Sequence, residues 1–364
     1  MSKIRSSLLL CIACLSATGA CLGQTAGWYK TYSGAIDKYA VTMHLHKAGH
    51  KFSGYYYYNS NEEPVYFSGE DTTAPGGRIR LSAFIPGEGA DESFTFSISG
   101  KVVAGEWDPG KNKPLSFSAT ETNAALVFDY IYTEGSASLR PAMKGSPAAT
   151  FEAASIWPKG NPSQVAFLKK IITEEFDAKN STEDIGKIFL RQKKKFFADY
   201  INDSKEMKDE DLKEAYSFNM DQSDQVMIAY QSPKLILLAR TNYAYTGGAH
   251  GNYGTSYIPV DLMSNKKISL RDIINKAGQP KLARLLEKSF RKAYSLKAAD
   301  SLSEVGLFEN SIEPNDNFYV TTKGIGFCYN PYEIGPYAMG EIKVFIPFTE
   351  LYAWLQPGFK KLIQ

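Results

Sequence analysis

Apolar and polar positions alternate through the first third of the chain. Between residues 39 and 45 the larger apolar side chains take every second position, as Tyr39, Val41, Met43 and Leu45. A period of two is typical of a strand with one buried face, and turns with Gly and Pro separate several such stretches before residue 133. Many short strands joined by short turns predict an all-β domain over residues 24–133, either a sandwich or a small closed barrel.

The pattern changes in the residues that follow. Residues 134–149 are rich in Gly, Ser, Ala and Pro, so we interpret them as an inter-domain linker. Asn161 and Pro162 then indicate the start of a helix, because Asn caps helices and Pro suits the first turn. Strand patterns recur at residues 226–230, 235–243, 258–262 and 342–347. Residues 150–364 are therefore predicted to form an α+β domain with helices on an antiparallel sheet, which makes the whole chain α+β.

The N-terminal residues have the features of an export signal. Lys3 and Arg5 precede an apolar stretch and then a segment of small residues, which predicts a signal peptide over residues 1–23 with cleavage near Gly23. Lipidation at Cys21 is the alternative, because small residues stand just before it, and it would anchor the protein to a membrane. In either case we expect an exported protein, periplasmic or anchored outside the cytoplasm.

Charge and cysteine content exclude several kinds of function. The chain has 41 basic and 39 acidic residues, and loss of Lys3 and Arg5 with the signal peptide leaves 39 of each. A chain without net charge has no general attraction for nucleic acid, so we expect no such partner. Cys328 is the only cysteine beyond the signal region, which excludes an internal disulfide and a cysteine-based zinc site. We expect no cofactor and no metal.

Two groups of residues in the predicted β domain are candidates for binding. His44 and His46 lie on one strand face, as zinc ligands would, but no carboxylate or cysteine accompanies them, so we expect both to face solvent. In the run of four tyrosines at 55–58, alternate rings point to opposite faces of a strand. We expect two of these rings to pack inside and two to stay exposed, either as binding groups or as an amphipathic rim.

A glycine-rich motif lies at residues 243–252. Gly247 and Gly248 permit backbone conformations that other residues avoid, Tyr245 stands before them, and His250 follows them. A lone histidine cannot form a metal site, and the chain has no G-x-S-x-G or H-E-x-x-H motif. The motif is therefore either a structural loop or a binding loop, with a general-base role for His250 as a further alternative.

A second motif, at residues 330–340, combines prolines with tyrosines. Pro331 stiffens the chain before Tyr332 and Glu333, and Tyr337 follows another proline. Stiff loops that carry tyrosine lose little conformational entropy on binding, so this motif favours a recognition surface. Alternatively, Glu333 caps a helix or pairs with His250.

These motifs occur together with several others in one order along the chain. They lie at residues 245–250, 268–270, 318–320, 324–327, 330–334, 336–338 and 346–347, with Asp261 and Gly340 at single positions. In this order they resemble the C-terminal domain of the lysozyme-sensing anti-sigma-V factors (RsiV-like). The same domain accompanies some PdaC-type peptidoglycan deacetylases as a non-catalytic module. The resemblance covers residues 242–355, extends more weakly over residues 153–240, and leaves out the predicted β domain.

The resemblance implies a binding domain that works outside the cytoplasm. In the anti-sigma factors this domain binds lysozyme, which makes Pro331, Tyr332 and Tyr337 candidate contacts here. The sequence departs from the family in two ways. We find neither the sigma-binding region of the anti-sigma factors nor the deacetylase domain with its metal ligands. Signal transmission and deacetylation are therefore not implied.

Our leading hypothesis is an exported, non-catalytic binding module that recognises a protein, such as one like lysozyme, or a cell-wall component such as peptidoglycan. Its candidate binding residues are Tyr245, Gly247, Gly248, His250, Pro331, Tyr332, Glu333 and Tyr337. One alternative is a cell-wall glycan hydrolase with Glu333 and His250 as acid and base. The other is a structural envelope protein. We expect contact with a membrane only if Cys21 is lipidated.

Overall fold

The computed structural model describes residues 26–71, 77–83, 92–123, 126–212 and 218–364. The signal peptide predicted at residues 1–23 and the lipidation candidate Cys21 lie outside these residues. Among the residues described, no helix combines the length and the apolar character needed to cross a membrane.

Eight antiparallel strands of the described chain form a closed barrel at its N-terminal side. They are β1 (Ala26–Ile36), β2 (Tyr39–Ala48), β3 (Lys51–Tyr58), β4 (Val65–Asp71), β5 (Ile79–Ala83), β6 (Glu92–Ser99), β7 (Val102–Asp108) and β8 (Leu115–Thr122). Each strand pairs with the next, and β8 closes the barrel by pairing with β1. Alternate side chains such as Met43, Phe67 and Phe94 fill the interior and are fully buried. Of the two predicted architectures the barrel forms, and closure removes the free sheet edges that a sandwich would leave.

A second sheet continues from the barrel. Its strands are β9 (Val127–Ser138), β10 (Ala148–Lys159), β11 (Met220–Gln231), β12 (Leu235–Tyr245), β13 (Asn252–Asp261) and β14 (Lys266–Lys267). The first two residues of β1 pair with β9, so β1 takes part in both sheets. Neighbouring strands are antiparallel except for β10 and β11, which are parallel. A parallel pair needs a crossover connection, and the helices between β10 and β11 supply it.

Helices and a small third sheet cover the second sheet. The helices are α1 (Pro162–Glu175), α2 (Ile185–Asp203), α3 (Asp209–Leu212), α4 (Leu270–Ile273), α5 (Gln279–Ala293), α6 (Phe348–Leu351) and α7 (Pro357–Ile363), and the small sheet contains β15 (Phe318–Val320), β16 (Gly324–Tyr329) and β17 (Ile342–Pro347). Helix α1 begins as predicted, because the Asn161 side chain accepts hydrogen bonds from the first helical amides. Helices α1 and α2 pack on one face, and α5 with the small sheet packs on the other. The predicted α+β class is confirmed.

The segment interpreted as a linker has a different structure. Residues 134–138 are the end of β9, and they pair with the start of β10. Helix α2 packs on this end of the strand, where a Cβ at Gly135 would lie in ordinary contact with Lys193 and Phe197. The linker prediction is therefore wrong for residues 134–138, which form a strand.

Part of the outer wall of the barrel, on β2 and β3, is also buried, which corrects two predictions. His44 and His46 were expected in solvent but are 1% and 0% exposed. The hydroxyl of Tyr29 lies 2.8 Å from Nδ1 of His44, and Nε2 of His46 accepts the Ile228 amide at 3.3 Å. Tyr55 and Tyr57 pack against the second sheet while Tyr56 lies in the barrel core. A period of two cannot show that both faces of a strand are covered. No group of three or more His, Cys, Asp or Glu side chains in the described chain could hold a metal ion.

Candidate functional site

The two loop motifs meet on the surface of the α+β region. There His250 of the first loop contacts Tyr332 of the second, which follows it by 82 positions. The first joins β12 to β13, and the second follows β16. In the first loop Gly247 and Gly248 both adopt left-handed backbone angles, with φ of 93° and 95°, which explains two consecutive glycines. The hydroxyl of Tyr245 donates to the Gly248 carbonyl at 3.0 Å and holds this turn closed.

His250 is the centre of the contact between the loops. Its Nδ1 lies 3.0 Å from the Gly251 carbonyl oxygen, which can only accept, so in the neutral ring this nitrogen carries the proton. Nε2 is then free to accept a hydrogen bond from the Tyr332 hydroxyl at 3.3 Å. The imidazole also stacks on Tyr337, with ring centroids 3.9 Å apart. We call His250, Tyr332 and Tyr337 the aromatic cluster.

Backbone geometry fixes Tyr332, which like His250 is exposed. Tyr332 has φ of 72°, a left-handed value that is uncommon for an aromatic residue, and its amide donates to the Gly335 carbonyl at 3.1 Å. Its side chain is 54% exposed although both the backbone and the hydroxyl are held. Tyr337 is half-buried and donates to the Gly251 carbonyl at 2.8 Å. The cluster therefore presents aromatic surface to solvent in a fixed arrangement.

Glu333 is held away from His250 by two amide side chains. Asn315 and Asn330 donate to its two carboxylate oxygens at 3.2 and 3.3 Å. Asn330 also accepts the Thr255 amide at 2.8 Å, which ties the second loop to β13. A Cβ at Gly254 would come within 2.9 Å of this Asn330 oxygen, so the contact requires glycine there. The prediction that Glu333 pairs with His250 is not borne out in the described residues, where their hydrogen bonds go to different partners.

The two loop motifs meet in the structure, but the sequence did not single out the residues that fix them. Asn330 lies within the second motif without a role assigned to it, Asn315 and Gly254 lie outside both motifs, and their contacts identify all three. Cys328, beside the second loop, is completely buried, and that burial raises the pKa of its thiol far above the usual range. It therefore offers no nucleophile.

Comparisons with known proteins match two parts of the chain. Residues 271–349 match the family described as "Protein of unknown function (DUF3298)", and residues 160–253 match the family described as "Deacetylase PdaC". A search of curated proteins gave no match.

Solved structures give a likeness of fold. A crystal structure of a DUF3298-family member from Bacteroides fragilis has a TM-score of 0.60 at 24% identity, over 66% of this chain and 98% of the other. A DUF3298-family protein from Pseudomonas aeruginosa has a TM-score of 0.47 at 17% identity, over 64% of this chain and 95% of the other. The chain thus contains regions similar to the DUF3298 and PdaC domains. The Bacteroides fragilis structure supports the fold over 66% of this chain.

Proposed function

We propose that the protein is exported and acts as a non-catalytic binding module, with the aromatic cluster as its recognition surface. One observation carries the proposal. His250 from one loop fixes Tyr332 and Tyr337 from the other, and Tyr332 stays 54% exposed. Rigid, partly exposed tyrosines make good anchors, because they bring a large contact area and lose little side-chain entropy on binding.

The choice of partner rests on the family resemblance. The domain that residues 242–355 resemble binds lysozyme in the RsiV-like anti-sigma factors and accompanies some peptidoglycan deacetylases, and residues 160–253 match the family described as "Deacetylase PdaC". We therefore propose a protein like lysozyme, or peptidoglycan itself, as the ligand. Pro331, Tyr332 and Tyr337 would make the contacts, and Asn330 would hold their loop in place.

The hydrolase alternative has less support. A glycosidase normally sets two carboxyl groups on either side of the scissile bond. Here Glu333 is bound by two amides, and both ring nitrogens of His250 have partners in the cluster. Neither residue lines the large cleft of about 800 Å³ that lies beside this region. A hydrolase that used them would have to rearrange both loops first.

Calorimetry with purified mature protein tests the proposal, with lysozyme and soluble peptidoglycan fragments as separate ligands. We expect saturable binding to one of them, and at least a tenfold loss of affinity in Tyr332→Ala. Tyr352→Ala is the matched control, because Tyr352 is 52% exposed and lies on another surface. Equal affinity in wild type and Tyr332→Ala would show that the cluster is not the contact.

Two further measurements separate the alternatives. Release of new reducing ends from peptidoglycan, abolished in a folded Glu333→Gln variant, would support the hydrolase instead. Failure to bind either ligand would favour a structural envelope protein. Mass spectrometry of the protein purified from cells would show whether the chain is cleaved near Gly23 or lipidated at Cys21, and an unprocessed cytoplasmic chain would contradict export.

A further inference from the structure

A cleft of about 800 Å³ lies between the barrel and the α+β region. Its barrel side comes from β3, β4 and the turn between them, and its other side from β11, β12 and β13. The end of α5 and the small sheet complete the wall. This volume is within the range of about 300 to 1,000 Å³ that small-molecule sites occupy. It is a separate site from the aromatic cluster, although Tyr253 in its wall contacts Tyr337 edge-to-face at 5.6 Å.

Tyrosine is the most frequent residue in the cleft wall. Seven of the lining residues are tyrosines, and those that remain partly exposed include Tyr58, Tyr66, Tyr243 and Tyr253. Amides and hydroxyls, such as those of Asn61, Gln225 and Thr241, also line the cleft. Aromatic rings together with short hydrogen-bonding groups suit a ligand made of polar rings, since each such ring has an apolar face and a polar edge.

Charge in the cleft is unbalanced. Three carboxylates line it, and Lys343 is the one basic side chain among the lining residues described. Lys343 forms an ion pair with Glu341 at 2.9 Å, and Glu92 accepts hydrogen bonds from Tyr56 and Trp107. Glu63 has no side-chain hydrogen bond and no ion pair within the described part of the chain, although it is half-buried. It is therefore the carboxylate available to a ligand.

A buried hydroxyl in the same wall also has no partner. Tyr319 is 1% exposed, and its hydroxyl makes no hydrogen bond within the described residues. Leaving a buried hydroxyl unsatisfied costs roughly 1 to 3 kcal/mol, so a native protein normally has a reason to keep one. Because this oxygen has almost no exposed surface, a ligand hydroxyl would become its partner only after the Tyr319 ring shifts toward the cleft.

We propose that the cleft binds an oligosaccharide of amino sugars with free ammonium groups. The sugar rings pack on the tyrosines, an ammonium group pairs with Glu63, and a sugar hydroxyl bonds to Tyr319. The ammonium group is what distinguishes this ligand from an N-acetylated sugar, which would leave Glu63 unpaired in a half-buried site.

Protonation of Glu63 gives the proposal a second readout. Burial raises the pKa of Glu63 to about 7, while Lys343 partly opposes this, and the neutral phenol of Tyr319 faces the same carboxyl. Near pH 7 the empty cleft therefore keeps a proton on Glu63 for a large part of the time. An ammonium ligand favours the ionised carboxylate, so binding should release protons to the buffer.

Calorimetry with a tetramer of glucosamine and with its fully N-acetylated form tests the proposal at pH 6, where the ligand amines and Glu63 are both largely protonated before binding, so that any proton released comes from Glu63. We expect the glucosamine tetramer to bind at least tenfold tighter. Runs in two buffers of different ionisation enthalpy should show proton release for wild type only. Glu63→Gln keeps the size of the side chain but removes the charge, so it should make the two tetramers bind equally and abolish proton release.

Tyr319→Phe separates binding from folding. Removal of an unsatisfied hydroxyl should leave the stability unchanged or higher, while the affinity for the glucosamine tetramer falls by threefold or more. Tyr32→Phe is the matched control, because its hydroxyl is also buried without a partner, but inside the barrel core. It should bind like wild type.

Three outcomes would overturn the proposal: no saturable binding of the glucosamine tetramer, equal affinity for both tetramers in wild type, or equal affinity for tri-lysine, which carries the charge without sugar rings. Tyr332→Ala should bind the glucosamine tetramer as wild type does. Failure of the aromatic cluster as a recognition surface would therefore be distinguishable from failure of the cleft.

Discussion

The imidazole of His250 lies flat on the phenol ring of Tyr337, with 3.9 Å between the ring centroids and 23° between their planes. Both side chains also bond to one atom, the carbonyl oxygen of Gly251, at 3.0 and 2.8 Å. Two adjacent residues of the first loop, His250 by stacking and Gly251 by its carbonyl, thus position Tyr337 of the second loop. The aromatic cluster is formed before any ligand arrives, which is the condition for anchors that bind with little loss of entropy.

The first prediction follows from this arrangement. His250→Ala removes the ring that supports Tyr332 and Tyr337, so we expect affinity for the proposed ligand to fall about tenfold, the equivalent of about 1.4 kcal/mol. Because His250 is exposed, the free energy of unfolding should change by less than about 1 kcal/mol. Calorimetry and urea unfolding measure the two quantities.

His50→Ala is the control for that variant, since His50 is an exposed histidine in a turn of the barrel. It should change neither affinity nor stability. Equal affinity in His250→Ala and His50→Ala would mean that the loops hold their shape without the imidazole, and the role assigned to it would be wrong.

The second prediction concerns Asn330, which connects the second loop to β13. Asn330→Ala leaves the Thr255 amide without its acceptor and frees one oxygen of Glu333, so we expect a loss of about 1 to 3 kcal/mol in unfolding free energy. Gly254→Ala should have a similar effect by a different route, because its new Cβ would lie 2.9 Å from the Asn330 oxygen.

Gly358→Ala is the matched glycine control. A Cβ at Gly358 meets nothing within 4 Å, and the residue lies in α7, where alanine is a better helix former than glycine. We expect it to be neutral or slightly stabilising. If Gly254→Ala were equally harmless, Asn330 would not be held as tightly as its contacts indicate.

The sequence alone was enough to predict features that depend on local pattern. The strand period over residues 39–45 and the Asn161 cap both predicted elements that form. The two loops were chosen because Gly247 and Pro331 have distinctive backbone preferences. Each of these signals is carried by a few neighbouring residues, so a linear reading can detect it.

Features that depend on contacts between distant segments could not be predicted in this way. His44 and His46 were expected in solvent because alternation reveals one buried face, while the second face is covered by β11, where the Ile228 amide bonds to His46 from 182 positions further along the chain. Residues 134–138 looked like a linker because small residues suit both a flexible chain and a strand under a helix. The cleft needs both halves of the chain, and no motif marks Glu63 or Tyr319.

The third prediction concerns pH. Burial lowers the pKa of His44 and of His46 to about 3, and for His46 the neighbouring His44 adds to the effect. In the unfolded chain each ring titrates near pH 6.5. Between about pH 6.5 and 3 the unfolded state therefore binds more protons than the folded state. The protein has its full stability with respect to these two histidines above about pH 6.5 and loses it as the pH falls.

Urea unfolding at pH 7, 6, 5 and 4 would measure this loss. We expect His44→Phe to show a shallower decline than wild type, by up to about 1.4 kcal/mol per pH unit near pH 5, because one titrating ring has been removed. The Tyr29 hydroxyl keeps a second partner in Thr31, so the variant should still fold. Equal slopes of unfolding free energy against pH in the two proteins would show that His44 is not held neutral in the folded state.

Glu63 should act in the opposite direction, which is the fourth prediction. Its folded pKa of about 7 lies above the usual value of 4.5, so between these pH values the folded state binds more protons than the unfolded state. Its contribution to stability is present at low pH and is lost as the pH rises through this window. The unfolding free energy of Glu63→Gln should therefore fall more steeply than that of wild type on acidification from pH 7 to 4.5. Equal slopes of unfolding free energy against pH in the two proteins would show that the pKa of Glu63 is not raised.

The last prediction separates the buried ion pair of the cleft from those on the surface. Burial lowers the pKa of Lys343, but the Glu341 carboxylate 2.9 Å away and weaker interactions with other nearby groups together raise it above its usual value, so both groups stay charged at 22% and 14% side-chain exposure. Glu341→Gln would leave this ammonium without a counter-charge and should cost about 2 to 4 kcal/mol.

A double variant tests whether the cost comes from the stranded charge. Lys343→Met added to Glu341→Gln should recover part of the lost stability, because neither partner is then left charged and unpaired. Glu350→Gln provides the comparison on the surface, where Lys288 and Glu350 pair at 2.6 Å with 64% and 32% exposure, and it should cost less than about 1 kcal/mol. If the double variant were no more stable than Glu341→Gln alone, the loss would come from packing or from the Thr255 hydrogen bond to Glu341, and not from charge.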